Sequence, residues 1–107
     1  METLKVLGQV APTATTATTL YTVPALTETV VSTLTICNRG VKATVRVSVR
    51  PAGAVLSNQH YIAYDTPIEA NDMKAITIGM TLATTDVVTV YASTADFSFS
   101  LFGSEVS

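Results

Sequence analysis

Between residues 41 and 50 the chain alternates without a break: Val41, Ala43, Val45, Val47 and Val49 are interleaved with Lys42, Thr44, Arg46, Ser48 and Arg50. Successive side chains of an extended backbone point to opposite faces, so this period of two sets an apolar row against a core and a polar row against solvent. A helix cannot sort the same residues to two sides, because its period is 3.6. Pro51 then ends the strand, since proline has no N–H to give to a ladder. A strand that is half buried needs neighbours, and the rest of the chain must supply them.

It does so in the same idiom. Threonine and valine are the commonest residues, 19 and 14 of 107, and both favour extended backbone. No stretch keeps an apolar helical period for three turns. Strands are predicted at 5–10, 20–23, 28–37, 41–50, 59–65, 74–80, 86–92 and 97–103. In the third, Val30, Leu34 and Ile36 share a face; in the last, Phe97, Phe99 and Leu101 oppose Ser98, Ser100 and Phe102. The link Asn38-Arg39-Gly40 tolerates positive φ and predicts a hairpin between 28–37 and 41–50. Gly79, inside a strand pattern, predicts a bulge or a close backbone approach. Turn signals at this spacing point to an all-β chain, a single antiparallel β-sandwich of seven to eight strands, immunoglobulin-like or jelly-roll-like. The sandwich is assigned to 20–107, and 1–19 to an extended N-terminal arm with room for a short edge strand.

Residues 6–27 carry no charge, and seven of those 22 residues are threonine. A soluble domain has about a quarter charged residues, whereas this chain has 13%. Pro12 and Pro24 bracket the threonine-rich part and restrict it to an edge strand or an extended connection. Nothing along it repels a neighbouring chain, so it predicts contact with protein and assembly rather than chemistry. The candidate interface residues are Val6, Gln9, Pro12, Thr13, Thr15 and Thr16, joined by a basic row of Arg39, Lys42, Arg46 and Arg50.

Catalysis has little to draw on. The chain has one histidine, His60, and one cysteine, Cys37, so neither a disulfide framework nor a cysteine-cluster zinc site is available. A Cys-His pair is formally open, but nothing in the sequence brings the two together. The plainer reading of His60 is a strand residue near a rim. Asp65, Glu69, Asp72, Asp86 and Asp96 fall at strand ends or in loops, where aspartate serves turn geometry. There is no phosphate loop, nucleophile elbow or metalloprotease motif. The expectation is a protein that is not an enzyme and needs no cofactor or metal.

The net charge of −2 gives no basic field for nucleic acid. The basic row is first a solvated face and second a surface for a protein partner; a nucleic-acid role is not expected. Tyr61, Tyr64 and Tyr91 could line a sugar-binding surface, although such platforms favour tryptophan and the chain has none. No apolar run reaches the roughly 18–20 residues of a membrane helix. The N-terminal residues lack a basic start followed by an apolar run, so cytosolic synthesis without processing is expected, and no membrane partner.

Gly8-Gln9-Val10-Ala11-Pro12, followed by Leu20-Tyr21-Thr22-Val23-Pro24-Ala25, resembles the start of small virion proteins of tailed bacteriophages. The likeness continues through Thr35-Ile36-Cys37-Asn38-Arg39-Gly40, His60-Tyr61-Ile62 and Leu82-Ala83-Thr84-Thr85-Asp86-Val87-Val88-Thr89-Val90-Tyr91. These motifs are structural punctuation, and their order along nearly the whole chain carries the resemblance. It implies a compact β-sandwich repeated on the particle: a capsid decoration or cement protein, or a neck or tail adaptor. A glycan-binding host-recognition module is the alternative. The implied partners are other virion proteins and copies of itself in a cyclic homo-oligomer, a trimer first among the orders. The implied location is the virion, after synthesis in the host cytoplasm. The resemblance brings no catalytic residues with it.

Overall fold

The computed structural model describes residues 2–77 and 79–107. Among them are nine strands: β1 (Glu2–Val10), β2 (Thr18–Thr22), β3 (Glu28–Asn38), β4 (Ala43–Arg50), β5 (Tyr61–Ile68), β6 (Met73–Ile76), β7 (Met80–Leu82), β8 (Val87–Ala92) and β9 (Phe97–Val106). The helical content is two single 3₁₀ turns, Pro51–Gly53 and Asn58–His60. The first sheet runs β1-β9-β3-β6, with β7 also on β3; the second runs β2-β8-β4-β5. Every ladder is antiparallel.

With β6 and β7 taken as one interrupted strand, the first strand pairs with the last, the second with the next to last, and so inward to β4 with β5. That is a long hairpin rolled into two sheets, the order of a jelly roll. The immunoglobulin-like alternative drops out, because there the first two strands share a sheet.

The strand expected at 74–80 is broken, and Ile78 lies outside the described residues. Gly79 sits in the break with nothing within 4 Å of where a Cβ would stand. It marks no close approach, but the register gains one residue across this break, from Leu34↔Ile76 to Val31↔Met80, as a bulge would require.

Between the sheets, Phe97, Phe99 and Leu101 of β9 are fully buried against Ile36 and Leu34 of β3 and Val45, Val47, Val88 and Val90 of the second sheet. The alternation read for β9 therefore holds. That of β3 does not: Val30 is exposed and Val31 is buried. The register slips between Val31↔Gly103 and Thr33↔Phe102, so Ser32 is an extra residue that moves everything before it to the opposite face. In β4, Val45 and Val47 are buried as expected, but Val41 stands outside the strand, 68% exposed.

The expected hairpin between 28–37 and 41–50 is also corrected, because β3 and β4 lie in different sheets. The buried Asn38 side chain organises this crossing. Its amide donates to the carbonyls of Val41 (2.8 Å), Ile68 (3.2 Å) and Glu69 (3.1 Å), and its oxygen accepts from the Gly40 N–H (2.9 Å). Asparagine here joins three chain segments rather than supplying a positive φ, and none of residues 38–40 has one.

The stretch 1–19, expected as an arm, belongs to the sandwich throughout its described part. β1 pairs with β9 from Glu2↔Val106 to Val10↔Phe99, nine residues of edge strand rather than a short one. Leu7 enters the core through a bulge between Val6 and Gly8. Gly8 then passes so close to β2 that a Cβ would stand 2.3 Å from the Leu20 carbonyl oxygen. Residues 11–17 cross to the second sheet, pinned by the Thr15 N–H on the Ala92 carbonyl (2.8 Å). An apolar Leu7 and an otherwise open β9 edge leave this stretch more stable on the domain than off it.

Candidate functional site

His60, expected on a strand, ends the 3₁₀ turn that leads into β5 of the second sheet, whereas Cys37 is on β3 of the first. His60 is buried where β5 begins, its Nδ1 accepting the Ser57 N–H at 3.1 Å. Cys37 is exposed on β3 of the first sheet. No group of three metal-ligating side chains occurs among the described residues. Asp86 holds the Ala52 and Ala83 N–H groups at 2.9 and 2.8 Å, the turn role expected of it.

The basic row is held by partners, Lys42 and Arg46 by carboxylates and Arg39 and Arg50 by neutral oxygens. Lys42 pairs with Glu69 at 3.3 Å, both side chains exposed. Arg39 reaches the Ala95 and Phe97 carbonyls (3.3 and 3.4 Å), and Arg50 reaches Thr89 Oγ1 (3.2 Å) and the Ala54 carbonyl (3.1 Å). Arg46 departs furthest from a solvated charge. Its guanidinium lies 4.2 Å from the Tyr64 ring centroid and 4.5 Å from that of Tyr91, while Nε and Nη2 donate to the two oxygens of Asp65 at 2.7 and 3.4 Å. The bond to Asp65 raises the guanidinium pKa further above its already high value.

The sequence folds this way locally because of a bulge. Val45 pairs with Thr66 and Val47 with Ala63, so Tyr64 and Asp65 together oppose Arg46 alone. Asp65 takes φ 50°, a left-handed value that aspartate tolerates. Ring and carboxylate are thereby aimed at the same guanidinium, on the outer face of the second sheet. Tyr91 pairs with Arg46 from the β8 side. Tyr61 packs edge-on against Tyr64, with centroids 4.8 Å apart and planes at 82°. Asn58, Tyr61 and Tyr64 line a shallow hollow of about 380 Å³ beside the cluster.

The outer face of the first sheet has a different character. The β1–β9 and β9–β3 registers align Leu4 with Ser104 and Val30, and Val6 with Phe102 and Thr33. Leu4 is 80% exposed, Val6 49% and Val30 44%, and Val106 in the next row is also exposed. Further along, Gln9 donates to Ser100 Oγ at 3.2 Å, beside Thr35. Among the described strand residues no lysine or arginine falls on this face; Glu2 and Glu28 lie in the row of Val106 at one end, and Arg39 and Asp72 adjoin Cys37 and Met73 at the other.

Of the candidate interface residues, Val6 and Gln9 therefore lie on this face. Thr13, Thr15 and Thr16 are exposed in the crossing loop, Pro12 is buried, Arg39 borders the far end of the face, and Lys42, Arg46 and Arg50 are elsewhere. The interface set is not one surface. Leu4, Val30, Phe102 and Val106 were missed, although the row Ser98, Ser100, Phe102, Ser104, Val106 is a charge-free alternate set within one strand. Asp65 as the partner of Arg46 had no sequence signal, because it depends on the bulge. The chain matches no protein-family model, no curated protein and no solved structure.

Proposed function

We propose that this chain is a structural component of a tailed-phage virion, a jelly-roll module that binds the particle in many copies as capsid decoration or cement. The observation that carries this reading is the apolar patch on the outer face of the first sheet, where Leu4, Val6, Val30, Phe102 and Val106 are grouped with only Glu2 and Glu28 at its border. Exposed apolar groups in one patch mark a surface that meets protein. Apolar burial contributes about 25 cal/mol per Å², and ordering and desolvation costs offset much of it. Repetition over many sites then contributes more than any single contact.

The free edge of β1 adjoins this patch and offers backbone groups to an added strand. The order of motifs resembling small tailed-phage virion proteins supplies the particle. Copies of this chain in a cyclic homo-oligomer, a trimer first, are part of the same proposal. An adaptor at the neck or tail would use the same surface at a different place. Imaging intact particles from cells that express the chain distinguishes these. Copies over the capsid lattice support decoration, a single ring at one vertex replaces it with an adaptor, and particles without the chain sink both.

A further inference from the structure

We propose that the Asn58–Tyr61–Tyr64 hollow, together with the Arg46–Asp65 pair whose guanidinium stacks on Tyr64, is a binding site for an uncharged saccharide. This proposal stands apart from the particle-binding reading, because it concerns the outer face of the other sheet.

Two chemical features meet there. The first is aromatic: Tyr64 is 56% exposed and Tyr61 packs against it. A ring face carries partial negative charge and attracts polarised C–H groups, which line the apolar faces of a pyranose. The second is a pair of polar groups of opposite kind held side by side. Asp65 keeps acceptor capacity beyond its bonds to Arg46, and its side chain is about half exposed. Arg46 uses Nε and Nη2 on Asp65, which leaves Nη1 with donors to spare. Adjacent sugar hydroxyls both donate and accept, so a carboxylate beside a guanidinium suits them. The exposed Asn58 amide adds one more donor and acceptor on the hollow.

The local charge selects among ligands. The Arg46 cation is matched by Asp65, so the site has no surplus positive charge for a phosphate or a uronate and no surplus negative charge for a cation. A neutral ligand with an apolar face and a hydroxylated rim fits that balance. At about 380 Å³ the hollow falls within the size of ordinary small-molecule sites. The Asp65 bulge holds Tyr64 and the ion pair in place before any ligand arrives, which lowers the ordering cost of binding. A proline-rich peptide is the competing occupant, since aromatic grooves also take prolines.

The test uses the folded full chain on a printed array of neutral bacterial polysaccharide fragments. Retained glycans, and separately a proline decapeptide, are then titrated while the tyrosine ring resonances are observed by NMR. A retained glycan should shift the Tyr61 and Tyr64 rings, Tyr64→Phe should keep binding, and Tyr64→Ala should weaken it about tenfold, the change expected when one ordinary contact is lost. Asn58→Ala, at an exposed position, gives a second reading should Tyr64→Ala fail to fold. Retention of no glycan, glycan binding that both alanine variants leave unchanged, or occupation of the hollow by the decapeptide alone overturns the proposal.

Discussion

The phenol of Tyr21, on β2 of the second sheet, donates to the carboxylate of Glu105, on β9 of the first. The same hydroxyl meets Thr29 Oγ1 at 2.8 Å, and Lys5 Nζ closes on Glu105 at 3.0 Å. Four side chains from β1, β2, β3 and β9 thus tie the sheets together at one end of the core. Tyr21→Phe removes the hydroxyl while keeping the ring. It should cost about 1–2 kcal/mol, or roughly 4–16 °C in Tm for a domain of this size. Urea unfolding of the two proteins checks it, and equal midpoints would show that the phenol contributes nothing.

The same pair should shape the pH profile. Hydrogen bonds from Tyr21 and then Lys5 hold the Glu105 carboxyl below its ordinary 4.5. The folded state therefore binds that proton less readily than the unfolded one. The stability from Glu105 is fully present above about 4.5 and is lost as pH falls below it. Burial, and then the bond to Glu105, push the Tyr21 phenol from 10.0 up to about 12. Its contribution is complete below pH 10 and is lost as pH rises from there to about 12. Urea midpoints across pH, compared between wild type and Tyr21→Phe, should differ most on the plateau and converge towards both extremes. A difference that stays constant through both limbs contradicts the assignment.

Two glycines set how closely backbones approach. A Cβ on Gly8 would stand 2.3 Å from the Leu20 carbonyl oxygen, and one on Gly103 would stand 2.1 Å from that of Val30. Neither obstacle is a side-chain tip that can swing away. Gly8→Ala and Gly103→Ala should each destabilise by about 1–3 kcal/mol, whereas Gly79→Ala meets open space and should change little. Thermal melts of the three variants decide this.

Residue periodicity made the sandwich legible, because strands with one wet face must alternate. Phe97, Phe99 and Leu101 are where that argument puts them. The errors came from single residues that break the period. Ser32 reverses the faces of Thr29 to Val31, and Asp65 turns Tyr64 and its own carboxylate onto Arg46. A bulge costs one residue and has no composition of its own, so a sequence pattern passes over it. The Asn38-Arg39-Gly40 link failed for a different reason. Its turn-forming residues are compatible with a hairpin or with a crossing between sheets, and the long-range bonds of Asn38 to Ile68 and Glu69 favour the crossing. The tyrosines Tyr61, Tyr64 and Tyr91 could be named from sequence, but the placing of Tyr64 and Tyr91 on one guanidinium depends on the pairing of β4 with both β5 and β8.

On the proposed reading, the apolar patch on the outer face of the first sheet docks on a virion. The most direct measurement is the occupancy of particles, assembled without this chain, after incubation with the purified protein carrying Leu4→Lys and Val30→Lys. Both side chains are exposed, so the variant should melt within a few degrees of wild type, as surface substitutions do. Lys42→Glu, on another surface, serves as the control. Wild type and Lys42→Glu should bind the particles, and the double lysine variant should not. Equal occupancy of all three would contradict this docking.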